Sequence, residues 1–190
     1  MSTVNTPLFR VSYPNVFEAK INDLSKQMEY SLEAIFAPDA DLSQLRAAAQ
    51  KALVAKFGAD KATWPKNIRS PFKSQSTKTK NINGKQVIPE PYTEEGVFLN
   101  LRNKQRPSVV DGNLQSIIDP NDFYAGCYAI ASVSVYAYDK GGNCGVNFSL
   151  SNIQKVKDGD PLGGRTRPED DFVAVESTGT KSATSTDIFI

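Results

Sequence analysis

The run DPNDFYAGCYAIASVSVYAYDKGGNCGVNFSLSNIQKVKDG, residues 119–159, constrains the fold more than any other stretch of the chain. It alternates twice, once on each side of Gly141-Gly142. On the way up, Ala129, Ala131, Val133, Val135 and Ala137 share one side, and Tyr128, Ile130, Ser132, Ser134, Tyr136 and Tyr138 the other. On the way back, Val146, Phe148 and Leu150 alternate with Asn147, Ser149 and Ser151. Successive strand side chains point to opposite faces, so each half separates an apolar row from a mostly polar one. With the two glycines as the turn, Lys140 faces Asn143, Val135 faces Phe148, Val133 faces Leu150 and Tyr136 falls beside Asn147. A slip of one residue would set every apolar side chain against a polar one, so the register is specified. The expected product is an antiparallel ribbon with one core face and one face of tyrosines, serines and an asparagine.

Composition narrows the chemistry. A chain of 190 residues supports one domain with a substantial core. The absence of histidine excludes His-based triads, His-ligated zinc and His proton shuttles. Two cysteines cannot build a structural zinc site. Cys127 and Cys144 fall far apart along the ribbon, so both are expected to stay reduced and simply pack. A formal net charge of +1 means that only the distribution of charge could point to a nucleic-acid partner. No apolar run approaches the roughly 20 residues of a membrane span, and MSTVNTPLFR lacks the pattern of a secretory signal, so a cytosolic protein is expected.

Other strands precede the ribbon. Residues 1–7 are expected to fray. Leu8–Ala19 alternates Phe9, Val11 and Tyr13 against Leu8, Arg10 and Ser12, with Pro14 placed at an edge or bulge. Gln27–Phe36 sets Tyr30, Leu32, Ala34 and Phe36 on one side, although its Met, Glu, Leu and Ala also suit a helix. A helix follows: Asp41 as N-cap with Gln44 as its capping-box partner, Leu42, Leu45, Ala49, Ala52, Leu53 and Phe57 on one face, and Gly58 closing it. Gly96–Lys104 then turns Val97, Leu99 and Leu101 inward and Phe98, Asn100, Arg102 and Lys104 outward.

Charge is segregated along this chain. No acidic residue interrupts from Thr63 to Pro89, a stretch that holds Trp64, Lys66, Arg69, Phe72 and Lys73, with Lys78, Lys80 and Lys85 beyond. A solvated loop is one reading of it. The other is a loop that holds phosphates with Lys and Arg while rings stack on bases. The outward row Phe98, Arg102 and Lys104, followed by Arg106, lacks the acidic residues of an ordinary solvated face. Together with Tyr128, Tyr136 and Tyr138 of the ribbon, these side chains are the candidate contacts to a single strand of DNA. From Glu169 onward the sign reverses, and residues 173–190 are rich in Ser and Thr and poor in apolar residues, so a flexible tail is expected.

Short strands with one packing helix suit a mainly β, OB-fold-like, five-stranded, partly open antiparallel barrel. The domain would span residues 1–172, with the basic loop at 64–85 and a disordered C-terminal tail at 173–190. Five motifs carry a resemblance: RVSYPNVFEA (10–19), RPSVVD (106–111), DPNDFYAGCYA (119–129), SLSNIQK (149–155) and DGDPLGGRTRPEDDF (158–172). In that order they resemble a phage-encoded single-stranded DNA-binding protein family with an OB-fold, first catalogued as a phage domain of unknown function. The resemblance implies sequence-neutral binding of single-stranded DNA in phage replication or recombination, without catalysis, in the cytoplasm of an infected host cell. Cys144 and the Ser/Thr-rich end depart from the pattern. The Gly- and Asp-rich motifs at 119–129 and 158–172 are expected to be turns that close the barrel.

Two rival functions remain at this level. Asp119, Asp122, Asp139, Asp158 and Asp160 could serve a metal-dependent nuclease, though their contexts are those of turns. A virion structural or assembly protein would use the barrel for protein contacts. No cofactor, metal or membrane is expected. The acidic C-terminal end is a candidate dock for phage or host replication proteins, and a homo-oligomer is compatible with the composition.

Overall fold

A computed structural model of the protein describes residues 2–23 and 25–163. The chain opens on β1 (Ser2–Asn5), β2 (Phe9–Ile21) and β3 (Met28–Phe36), followed by the helix α1 (Ser43–Phe57). A long excursion then holds β4 (Lys73–Ser74) and a small hairpin of β5 (Lys80–Ile82) and β6 (Lys85–Val87). β7 (Val97–Asn103) and β8 (Ser108–Val110) lead into the ribbon of β9 (Tyr128–Lys140) and β10 (Asn143–Lys157). The tail expected at 173–190, and the closing motif from residue 164 onward, lie outside the described residues.

The main sheet runs β1-β9-β2-β3-β7-β10-β8, and β9 also pairs with β10. That pairing closes β2, β3, β7, β10 and β9 into a ring, the OB-fold-like arrangement expected from the sequence. The ring is not wholly antiparallel, because β7 meets β10 in parallel where Arg102 pairs with Ser149. In the ribbon, Val135 sits against Phe148, Val133 against Leu150 and Tyr136 against Asn147. Gly141 and Gly142 have φ of 56° and 86°, the two positive values that a two-residue type I′ turn requires. Inward rows from all five strands fill the middle, with Val11, Ala34, Leu99, Leu101, Val133 and Leu150 fully buried. Phe9 and Phe36 meet edge to face in it, 5.8 Å between centroids. Cys127 and Cys144 are free and buried, and burial pushes the Cys127 thiol up from its ordinary pKa.

Three expectations need correction. Residues 2–5 are not frayed: they pair with Ser132–Val135 of β9. Thr6 continues that ladder, donating its N–H to Ala131 O (2.8 Å) while its hydroxyl accepts from Ala131 N (2.9 Å). Asp41 is not the N-cap; Leu42 holds that position, and Asp41 accepts from the Ser43 N–H at 2.9 Å from one residue further out. Tyr13 does not face inward. The β2–β3 register shifts between Ser12 and Asn15, so a bulge does form at Pro14, and it turns the Tyr13 ring outward while Val16 takes the interior. The helix itself behaves as expected, burying Leu42, Leu45 and Ala49 and packing chiefly on β9.

Candidate nucleic-acid interface

In an OB-type ring, ligands lie on the outward face of the second and third strands, near the loops joining strands one to two and four to five. Those two strands are β3 and β7 here. Their outward row is organised around Glu33, which is only 5% exposed. Lys78 Nζ reaches Glu33 Oε2 at 2.6 Å, and the Tyr92 hydroxyl donates to Glu33 Oε1 at 2.6 Å. With its amide nitrogen toward the carboxylate, Asn100 donates to Glu33 (3.1 Å) and accepts from Lys73 Nζ (3.0 Å). Burial, reinforced by the hydrogen bond to Glu33, holds the Tyr92 phenol well above its ordinary pKa of 10.0. A buried carboxylate is tolerable because cation and hydrogen-bond donors surround it.

Rings pack on the same patch. Lys78 Nζ stands 4.5 Å from the Phe98 centroid, 5.2 Å from Tyr92 and 5.9 Å from Tyr13. Phe98 was expected on the outside, but only 3% of it is exposed. Its position is outward on β7 as the alternation requires, yet β4 pairs alongside, the amines of Lys73 and Lys78 stand over the ring at 5.8 and 4.5 Å from its centroid, and Tyr92 closes the side at 6.4 Å. Strand alternation reports a face, not whether a later segment covers it. Phe98 is a floor beneath cations, with no face free for a base.

The segment that covers it is anchored at both ends by Gln75, which is fully buried. Its amide donates to Phe36 O (2.7 Å) and Val97 O (2.9 Å) and accepts from the Thr93 N–H (2.8 Å). Gly96 lies against it so closely that a Cβ there would fall 2.3 Å from the Gln75 side chain. Between these feet the β5–β6 hairpin projects with every residue from Lys80 to Val87 exposed. Asn83 and Gly84 turn it with φ of 52° and 80°. The sequence did carry this signal, an Asn-Gly flanked by alternating residues, inside a stretch whose composition otherwise suits an irregular loop.

The remaining candidates separate into patches. Arg102 is half-buried on β7, while Lys104 and Arg106 are exposed beyond it, Arg106 standing 5.7 Å from the Phe17 ring. Trp64 is half-buried against Phe57 at 6.4 Å, and its indole N–H donates to Gly58 O at 2.9 Å, so it fastens the end of α1. Phe72 packs edge-on to Phe148 (5.7 Å) beneath Arg46 (4.8 Å) and caps the core. Lys66 and the Arg69 side chain are exposed, and the Arg69 backbone pairs with Cys144 and Val146. On β9, Tyr136 is 40% exposed. Tyr138 lies across Gly145, where a Cβ would meet its hydroxyl at 2.6 Å. Tyr128 sits between Lys157 (4.6 Å) and Arg10 (5.9 Å). β9 is two strands round the ring from β7, with β10 between them. Phe98, Arg102 and Lys104 on β7 are thus separated from the β9 tyrosines by the width of β10.

Of the acidic residues weighed for a nuclease, Asp119 and Asp122 lie in the turns before β9, Asp158 and Asp160 in the chain leaving β10, and Asp139 in β9 itself, opposite Cys144. Asp119 accepts from Asn121 N at 2.8 Å, and Asp158 engages Lys155 and the Tyr124 hydroxyl, both at 2.8 Å. Among the described residues, no three Cys, Asp or Glu side chains gather as metal ligands would.

The family model described as the single-stranded-DNA-binding protein of Enterobacter phage Enc34 matches residues 2–183. The chain belongs to the Enc34 single-stranded-DNA-binding protein family. The Enc34 protein solved in complex with single-stranded DNA superposes with a TM-score of 0.64 at 17% identity, covering 85% of this chain and 89% of that one. A second structure of the Enc34 protein superposes at 0.62 and 16% identity, covering 89% of each chain. The single-stranded-DNA-binding protein gp2.5 of bacteriophage T7 gives 0.57 at 11% identity, covering 88% of this chain and 98% of that one. At such identities the likeness is one of fold. A curated relative, "Putative protein p50" of Acyrthosiphon pisum secondary endosymbiont phage 1, is 39% identical over 69 residues. That match spans 36% of this chain and 37% of the relative's length.

Two of the motifs that carry the resemblance to the Enc34 family form a latch. Gly126, at φ 117°, lies so close to Asp160 that a Cβ would fall 2.1 Å from its carbonyl oxygen. Leu162 N donates to Ala125 O (2.8 Å), and Arg10 donates to Asp160 O (2.9 Å). The latch ties the start of β9 to the chain leaving β10 and to β2, closing the ring as the turn chemistry suggested.

Proposed function

We propose that this chain binds single-stranded DNA without regard to sequence, and so protects or organises exposed strands during phage replication or recombination in the cytoplasm of the host cell. Family membership across most of the chain is the observation that carries it. The outward β3–β7 face supports it, because Lys73, Lys78 and Arg102 gather there beside aromatic rings, with the lysines of the β5–β6 hairpin next along the chain. Lysine and arginine hold phosphates, while exposed rings accept any base. Lys104, Arg106 and the exposed Tyr136 would extend contact beyond that face. The role is non-catalytic. The acidic residues after Glu169 would compete with DNA for the cations or dock replication partners, so deletion of 173–190 should tighten DNA binding.

A salt titration of binding to single- and double-stranded oligonucleotides of equal length tests this. The single strand should bind more tightly, with log K falling against log salt by about 0.7 for each phosphate contact. Equal affinity for both forms, or binding indifferent to salt, would overturn it. Cleavage of labelled oligonucleotide in magnesium would replace it with the nuclease.

A further inference from the structure

Tyr13 adopts a backbone conformation that its own side chain disfavours. Its φ is 46°, in the left-handed region that bulky side chains rarely enter. The bulge before Pro14 enforces it, and the consequence is that 64% of the residue is exposed. An ordinary alternating strand would have buried this ring in the core beside Phe9 and Val11. Strained residues of this kind persist where the surroundings over-determine them, and they gather at binding sites.

The surroundings are specific. Ser12 pairs with Glu33 across β2 and β3, so Tyr13 emerges beside the Glu33 cluster. Lys78 Nζ lies 5.9 Å from its ring centroid and is itself held by Glu33 at 2.6 Å. Phe98 beneath is covered, and Tyr92 is tied down through its hydroxyl. Of the rings around Lys78, Tyr13 is the one left largely in solvent.

We propose that Tyr13 forms a base-stacking subsite for single-stranded DNA at the edge of the β3–β7 face, beside the cationic foot of the β5–β6 hairpin. This rests on the single-stranded-DNA reading above. An exposed ring takes any base without reading it, and a neighbouring fixed cation suits the phosphate next to that base. The bulge is then the device that brings a ring from the core side of β2 to the ligand side.

The test compares Tyr13→Asn and Tyr13→Phe with the parent, using a labelled oligothymidylate titrated at several salt concentrations. Asn tolerates left-handed backbone, so its variant should melt at or above the parent temperature. It should bind about 5- to 100-fold more weakly. The Phe variant should stay within about twofold, since it keeps the ring face. The slope of log K against log salt should be the same in all three, because no charge is removed. Irradiation of the parent with an oligonucleotide carrying 5-iododeoxyuridine should cross-link Tyr13. An Asn variant that binds like the parent overturns the subsite and leaves the function standing. A weaker Asn variant that also melts lower and changes the salt slope overturns it too, by making Tyr13 structural. A parent that does not bind the oligonucleotide overturns the functional reading, and the subsite with it.

Discussion

Glu33 shows how one residue can be essential to a cationic face while opposing its charge. Removing a carboxylate from a phosphate-binding surface should, by simple Coulomb reasoning, tighten binding. The geometry argues otherwise, since Lys78, Tyr92 and Asn100 are all positioned on that carboxylate. Glu33→Gln should cost about 1–3 kcal/mol of stability by urea unfolding, the penalty of leaving donors poorly matched. It should also weaken DNA binding; tighter binding would mean that the network has no part in holding the face. Tyr92 adds a dependence on pH. Its phenol titrates above the ordinary 10.0 in the folded state, so the native protein keeps a proton that the unfolded chain loses first. The stability it contributes is complete below the unfolded value and declines as pH rises from there toward the folded one. Between about pH 9 and 11, Tyr92→Phe should therefore lose less stability than the parent. Parallel losses in urea midpoints would contradict this.

At the scale of elements, the β5–β6 hairpin separates stability from function. Its feet are held by hydrogen bonds through the buried Gln75 and Glu33, while its tip from Lys80 to Val87 is exposed throughout. Lys80 lies opposite Val87 and Lys85 opposite Ile82, so one face of the tip presents both lysines. Reversing both to Glu should leave the melting temperature nearly unchanged, because surface substitutions away from packed features cost little. Affinity for single-stranded DNA should fall, and the log–log salt slope should become shallower by about 0.7 for each phosphate that is no longer neutralised. An unchanged slope would remove the hairpin from the interface. Gly96→Ala should act in the opposite sense. A Cβ there displaces Gln75, so stability falls first.

For the whole molecule, closure depends on pairing between distant parts of the chain. β1 and β2 pair with β9, and residues 125–126 meet 160–162, so the ends of the described chain are clasped together. Gly126→Ala places a methyl against the Asp160 carbonyl and strains a backbone at φ 117°. It should cost of order 2 kcal/mol or more in urea unfolding, measured as a lowered midpoint. A midpoint equal to the parent's would show that the latch is dispensable.

Side-chain periodicity left β3 open to a helix and gave no sign of the register shifts between Leu150 and Asn152 and between Lys155 and Lys157. It determined the other four ring strands, the single α-helix and the ribbon's register from its turn as far as Leu150, because each rests on neighbours in sequence and on a period that local chemistry sets. The Gly-Gly turn and the bulge at Pro14 were legible for the same reason. What covers a face was not. Phe98 obeys its alternation and is buried because Lys73, Lys78 and Tyr92 from the excursion before β7 close over it, and Tyr13 breaks its alternation because the bulge reverses it. The cluster around Glu33 joins β3, the foot of the hairpin, β7 and Tyr92, and no spacing along the chain announces such a meeting. Which cations share a face, and which ring stays in water, are decided only when the ring closes, since they depend on distances across space that no local pattern encodes.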